Sequence, residues 1–185
     1  MPVTSENVCR EKLDHAVQAL IMVLSSRDGM LRKSARESLV AIGTPAVPAL
    51  MRAIAEADKT ARWEATKALG SIGDPAAAPA LVQVLDDDDF GVRWLASDAL
   101  IGLGVHGLEP LLIALLHNPD SGRLREAAHH VVRVLCSRGG TLGRQLTALE
   151  DALGAMIGAN IVSQIQAALQ ALGVKDNAPE PESGI

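Results

Sequence analysis

Histidines, cysteines and a run of four aspartates are the groups in this chain best suited to catalysis or metal binding, and their spacing argues against both. His129 and His130 are neighbours, so on a helix they point about 100° apart and cannot easily share a metal. His106 and His117 stand elsewhere, and neither an HxxxH nor an HExxH pattern occurs. Asp86 to Asp89, followed by Phe90-Gly91, lacks the ligand spacing of a calcium loop and reads as a solvated connection with Asp89 as a helix cap. Cys9 and Cys136 are far apart and neither belongs to a CxxC pair. They form no disulfide framework and suit a reducing, cytoplasmic setting. No phosphate loop or serine-nucleophile motif is present. The expectation is a chain without catalytic residues, metal ligands or cofactors.

Two other residue types are distributed more tellingly. Arg32, Arg62, Arg93 and Arg125 recur at steps of 30, 31 and 32 residues. An aspartate precedes each: Asp28, Asp58 and Asp89 by four residues, Asp120 by five. Four basic groups in register could form an anion site. With an acid at every step, the arrangement fits better as a ladder of caps and guanidinium contacts between loops. The second type is aromatic. Trp63 and Trp94 follow two of the arginines directly, and Phe90 lies four residues before Trp94.

The elements that carry these residues are repeats, since self-similarity at such a period is the signature of stacked helical units. Thr60 to Gly73 recurs as Gly91 to Gly104, with weaker copies at Met30 to Gly43 and Arg123 to Cys136. Each unit reads as two helices, and the pairs fall at about 28–57, 58–86, 89–116 and 121–156. The first helix stops at Gly43, Gly73 or Gly104. The second starts at Thr44-Pro45 or Asp74-Pro75, a cap followed by proline at the first helical position, with Pro48, Pro79 and Pro110 just inside. Residues 1–27 hold a leading helix that covers the near end of the stack, and 137–173 hold divergent helices that close the far end. These make one domain, 1–173, and 174–185 are expected to be a disordered tail. The chain is 48% hydrophobic but 2% aromatic, so an all-α core of Ala, Leu, Val and Ile is expected. A net charge of −5 argues against broad nucleic-acid binding. The apolar run 19–24 is too short to span a bilayer and lacks the flanks of a signal peptide.

Turning each first helix by 100° per residue from its arginine puts Leu31, Ala61, Val92 and Leu124 on a buried face. The Ala35, Ala65, Ala96 and Ala128 column joins them, as does the Leu39, Leu69, Leu100 and Val132 column. The opposite face varies between repeats. It carries Lys33 and Glu37 in the first, Trp63 and Lys67 in the second, Trp94, Asp98 and Ile101 in the third, and Glu126, His130 and Arg133 in the fourth, with Leu95 extending it and Glu64 flanking it. Both tryptophans thus point away from the buried stripe, and Phe90 extends the surface. Exposed aromatic patches mark partner sites, and Trp is enriched at binding hot spots.

The pattern Val92-Arg-Trp-x-Ala-x-x-Ala-Leu-x-x-Leu-Gly104, with Gly73-Asp-Pro75 and Ala78-Pro-Ala-Leu81, resembles the short HEAT-like repeats named after phycobilisome lyases, over about residues 14–136. The resemblance implies a right-handed α-solenoid of about four helical hairpins with terminal capping helices. It also implies a concave surface whose variable residues bind partners. The expected function is a non-catalytic protein-interaction module acting through Trp63, Glu64, Lys67, Phe90, Trp94, Leu95, Asp98, Glu126 and His130. A bilin or other planar ligand stacked on the same tryptophans is the alternative, and DNA binding is a distant third.

Overall fold

Three of the four repeats open on an aspartate whose carboxylate folds back over the free N–H groups of the first helical turn. The computed structural model describes residues 5–155 and 161–173. Asp28 accepts from the N–H of Met30 at 2.8 Å where α2 (Gly29–Ile42) begins. Asp58 accepts from Thr60 at 2.8 Å and Ala61 at 3.2 Å at the head of α4 (Lys59–Ile72). Asp89 accepts from Val92 at 3.1 Å at the head of α6 (Phe90–Leu103). In the fourth repeat the cap is Ser121, bonded to Leu124 N–H at 3.3 Å, and not Asp120. Ser121 stands four residues before Arg125, as the aspartates do before theirs, and α8 (Gly122–Ser137) starts from it.

The first helices end where glycine takes positive φ: 75° at Gly43, 69° at Gly73 and 61° at Gly104. Gly73 alone of these has the left-handed helical ψ of 24°; Gly43 and Gly104, with ψ near −140° and −125°, lie where a side chain is still less tolerated. The second helices enter through single 3-10 turns, Thr44–Ala46 and Pro75–Ala77, each with its proline at the start. Asp74 caps its turn through Ala76 N–H at 2.9 Å. Thr44 does not cap: Gly43 holds the cap position, without a side-chain bond. Beyond the turns lie α3 (Val47–Glu56) and α5 (Ala78–Gln83), the latter finishing in a 3-10 turn, Val84–Asp86. In the third repeat α7 (Val105–His117) begins directly after Gly104, so Pro110 falls in its sixth position. The fourth pairs α8 with α9 (Gly140–Gly154), and α1 (Ser5–Val23) and α10 (Ile161–Ala171) complete the described helices. No strand occurs among the described residues, and the chain is all-α.

Contacts gather the chain into two compact units, Met1–Pro110 and Leu111–Ile185, with the boundary within α7. In the first unit α4 packs against α2 and α6, with α3 against α4 and α5 against α6. Leu39, Leu69 and Leu100 are buried to 1% or less, each contributing about 1.5–3 kcal/mol by removal from water. Leu31 departs from the expected buried face, at 53% exposure against 1% for Ala61 and 0% for Val92. Ala61 and Val92 lie on helices that have another first helix before them, whereas α2 has only the single helix α1. A glycine sets how closely the third pair approaches. A Cβ on Gly107 would lie 2.3 Å from the carbonyl oxygen of Leu100, so α7 meets α6 at backbone distance. In the second unit Gly143 does the same for α9 and α8, against the carbonyl of Cys136. Residues 174–185 and Gly158 lie outside the described residues. Among the described residues no single helix is long and apolar enough to cross a membrane.

Candidate partner-binding site

The loops between repeats are tied by divided carboxylates. Asp58 caps α4 with Oδ1 and accepts the hydroxyl of Ser25 on Oδ2. Asp89 caps α6 with Oδ1 and takes the Lys59 ammonium on Oδ2 at 2.7 Å. The arginine column does not bind these capping aspartates side chain to side chain. Each guanidinium donates instead to carbonyls of the loop entering its own helix: Arg32 to Ser26 at 2.8 Å, Arg62 to Ala57 at 3.1 Å, Arg93 to Asp87 at 2.7 Å and Arg125 to Pro119 at 3.4 Å. Two of them also reach the next repeat. Arg62 grips Asp87 through Nε and Nη2, and Arg32 Nε stands 3.4 Å from Glu64. The ladder expected from the spacing exists, with loop carbonyls and Asp87 in place of the caps.

The electrostatics follow these contacts. The Ser25 hydroxyl holds Asp58 below the usual aspartate range, outweighing its partial burial. Burial raises Asp87, but the Arg62 guanidinium and the Asp89 N–H together bring it below the ordinary value. Lys59 lowers Asp89 in the same way. Arg62 is raised by Asp87. Arg62 and Asp87 thus satisfy each other, and all four arginines of the column are turned toward loop carbonyls.

Trp63 and Glu64, expected on an outward surface, are turned into the stack. Glu64 is 4% exposed and accepts from Arg36 Nη1 at 2.5 Å and from Arg32. Trp63 is half-buried, with Gly91 beside its indole edge and Lys67 Nζ 4.7 Å from its ring centroid. The physical reason is that α4 has a helix on either flank. Phasing around one helix finds the face toward its own repeat but cannot see the two sides that α2 and α6 cover.

The third repeat is different. Phe90 is 66% exposed and Trp94 53%, with ring centroids 6.4 Å apart and planes inclined at 32°. Arg93 lies 5.5 Å from the Phe90 ring while donating to the loop carbonyls. Asp98 is exposed and Leu95 half-buried. Phe90, Trp94 and Asp98 are spaced by four and share one face of α6. Gly102 continues the row, with nothing within 4 Å of where its Cβ would be. Lys33 and Glu37 pair with each other at 3.8 Å on the surface of α2. Glu126 and His130 stand on α8 in the second unit, exposed and half-buried respectively, and Arg133 Nη2 lies 3.4 Å from His130 Nδ1.

Among the described residues no three His, Cys, Asp or Glu side chains gather as metal ligands. Burial and the neighbouring Glu150 push the Cys136 thiol up to about 11, which leaves it protonated at neutral pH. Sequence reasoning missed Arg36 and Asp87 as partners of Glu64 and Arg62. Their separations of 28 and 25 residues come from helix stacking and follow no simple local pattern.

Residues 47–133 match the family model for HEAT repeats. A solved structure of similar fold is the complex of CpcE and CpcF of phycocyanin lyase from Nostoc sp. PCC7120. The likeness has 24% identity and a TM-score of 0.55, and covers 83% of this chain and 98% of that one. An engineered protein also aligns, at 20% identity over 85% of both chains, but its TM-score of 0.38 is too low to bear on the fold. No curated protein matches the sequence. The HEAT match spans the second and third repeats and so includes both tryptophans.

Proposed function

We propose that this chain is a non-catalytic HEAT-repeat module that binds a partner protein through the Phe90/Trp94 face of α6. The carrying observation is that the chain has three aromatic side chains and leaves two of them more than half exposed, one helical turn apart. Exposing two large rings together costs hydrophobic free energy that the fold does not recover, and such rings are frequent anchors in interfaces. The similar structure from Nostoc is itself a complex of two proteins, which suits a repeat module that works in association. Trp63 supports the site from behind the first turn of α6 and is not a primary contact.

A second reading has a specific support. Two rings inclined at 32° could receive a planar ligand, and the similar structure belongs to a phycocyanin lyase. The two readings separate in a comparative pull-down with the wild type and a Phe90→Ala/Trp94→Ala variant. The protein-binding reading predicts discrete proteins retained by the wild type and lost from the folded variant, with no visible absorbance in the purified protein. Retention of every bound protein by the variant would refute it. A coloured co-purifying ligand lost from the variant would establish the second reading.

A further inference from the structure

The face that carries Phe90 and Trp94 is acidic, and its nearby cations are engaged. Residues 84–105 contain five aspartates and one basic residue, Arg93. The Arg93 guanidinium is held by the carbonyls of Asp87 and Asp88, at 2.7 and 3.1 Å. Lys59 is bound to Asp89 and Lys67 lies over Trp63. Asp98, one turn beyond Trp94, is exposed and has no ion pair or hydrogen bond among the described residues. Asp86 and Asp88 add exposed carboxylates in the loop that leads into Phe90. At Gly102 the row ends in open surface, where a second backbone can come close.

We infer that the segment received by Phe90 and Trp94 is cationic: a short apolar stretch bearing lysine or arginine, whose apolar side chains cover the rings and whose positive group meets Asp98. This rests on the protein-binding reading of the same face. From Phe90 to Asp98 the row is about 12 Å long, which two to three turns of a partner helix would cover. A cation placed over Trp94 gains from the ring quadrupole as well as from Asp98, and an acidic segment would meet like charge at Asp98.

The test uses two fluorescein-labelled 14-residue amphipathic peptides of leucine and lysine, identical except that the second carries glutamate at every lysine. Binding is read by anisotropy at low and high salt. The lysine peptide is expected to bind the full chain about tenfold more tightly than the glutamate peptide at low salt, the sum expected of a cation–π contact and exposed ion pairs. The difference should shrink at high salt. Asp98→Lys should weaken the lysine peptide several-fold, and Trp94→Ala should weaken it about tenfold, with helicity unchanged by circular dichroism. If both peptides bind equally and Trp94→Ala abolishes both, the docking face stands and the cationic partner is wrong. If the lysine peptide is indifferent to both substitutions, it is held by the chain's overall negative charge, and both the inference and the docking face fail. Absence of binding by either peptide at millimolar concentration also overturns the inference.

Discussion

Arg62 of α4 holds the carboxylate of Asp87 with two guanidinium nitrogens, Nε at 2.7 Å and Nη2 at 3.3 Å, while its Nη1 donates to the carbonyl of Ala57 at 3.1 Å. One side chain thus fixes the loop before its own helix and the loop before the next. Bidentate arginine pairs have this reach, and a lysine could not reproduce it. Arg62→Ala would leave Asp87, whose side chain is 7% exposed, without its cation. A loss of about 2–3 kcal/mol is expected in urea denaturation. Lys33→Ala, which breaks a pair exposed at 56% and 61%, should change stability by less than about 0.5 kcal/mol.

The same loops set an acid limit. Asp58, Asp87 and Asp89 all have folded pKa values below the ordinary aspartate value. Their contribution is fully present above the unfolded aspartate pKa, near 4, and is lost as pH falls through the lower folded values. Thermal midpoints measured across pH should therefore drop as pH falls below about 4. Asp87→Asn should make that drop shallower while lowering stability at pH 7. A variant with an unchanged acid slope would contradict the role given to Asp87.

Glycines 102 and 107 should respond in opposite directions although both lie in helices five residues apart. Gly107→Ala drives a methyl group into the Leu100 carbonyl and forces α7 away from α6, with a loss of about 3 kcal/mol. Gly102→Ala meets open space and gains helix propensity, so a stabilisation of about 0.5–1 kcal/mol is expected. Chemical denaturation of the two variants decides this.

Thiol reactivity separates the two cysteines. Cys9 is exposed, whereas Cys136 is half-buried with its pKa pushed up to about 11. At pH 8 about one Cys136 in a thousand is thiolate. A disulfide-exchange reagent should modify one thiol per native chain, and Cys9→Ser should remove nearly all of that signal. Rapid modification of both thiols in the native protein would show that Cys136 is not shielded.

The helices, their caps and their glycine ends were legible because each depends on contacts within a few residues: Asp28, Asp58 and Asp89 announce a helix start whatever packs on it later. The alanine and leucine columns were legible for the same reason, since 3.6-residue periodicity marks the face toward the same repeat. Glu64 is buried and Trp63 half-buried because their environment is set by α2 and α6, which lie some thirty residues away in sequence. Trp94 stayed outside, as the phasing indicated, and Phe90, expected in the preceding loop, lies beside it as the first residue of α6. Asp120 looked equivalent to the other caps, but one residue of offset moved it beyond reach of the first turn, and Ser121 took its place.

In the proposed complex, position 94 faces a bound protein. The most direct measurement replaces Trp94 with the photoreactive benzoylphenylalanine and, separately, makes the same change at Ser71, an exposed position on α4. Irradiation in the native host followed by denaturing electrophoresis reads the result. A discrete adduct of higher mass is expected from position 94 and none from position 71. No adduct from position 94, or the same adducts from both positions, would contradict it.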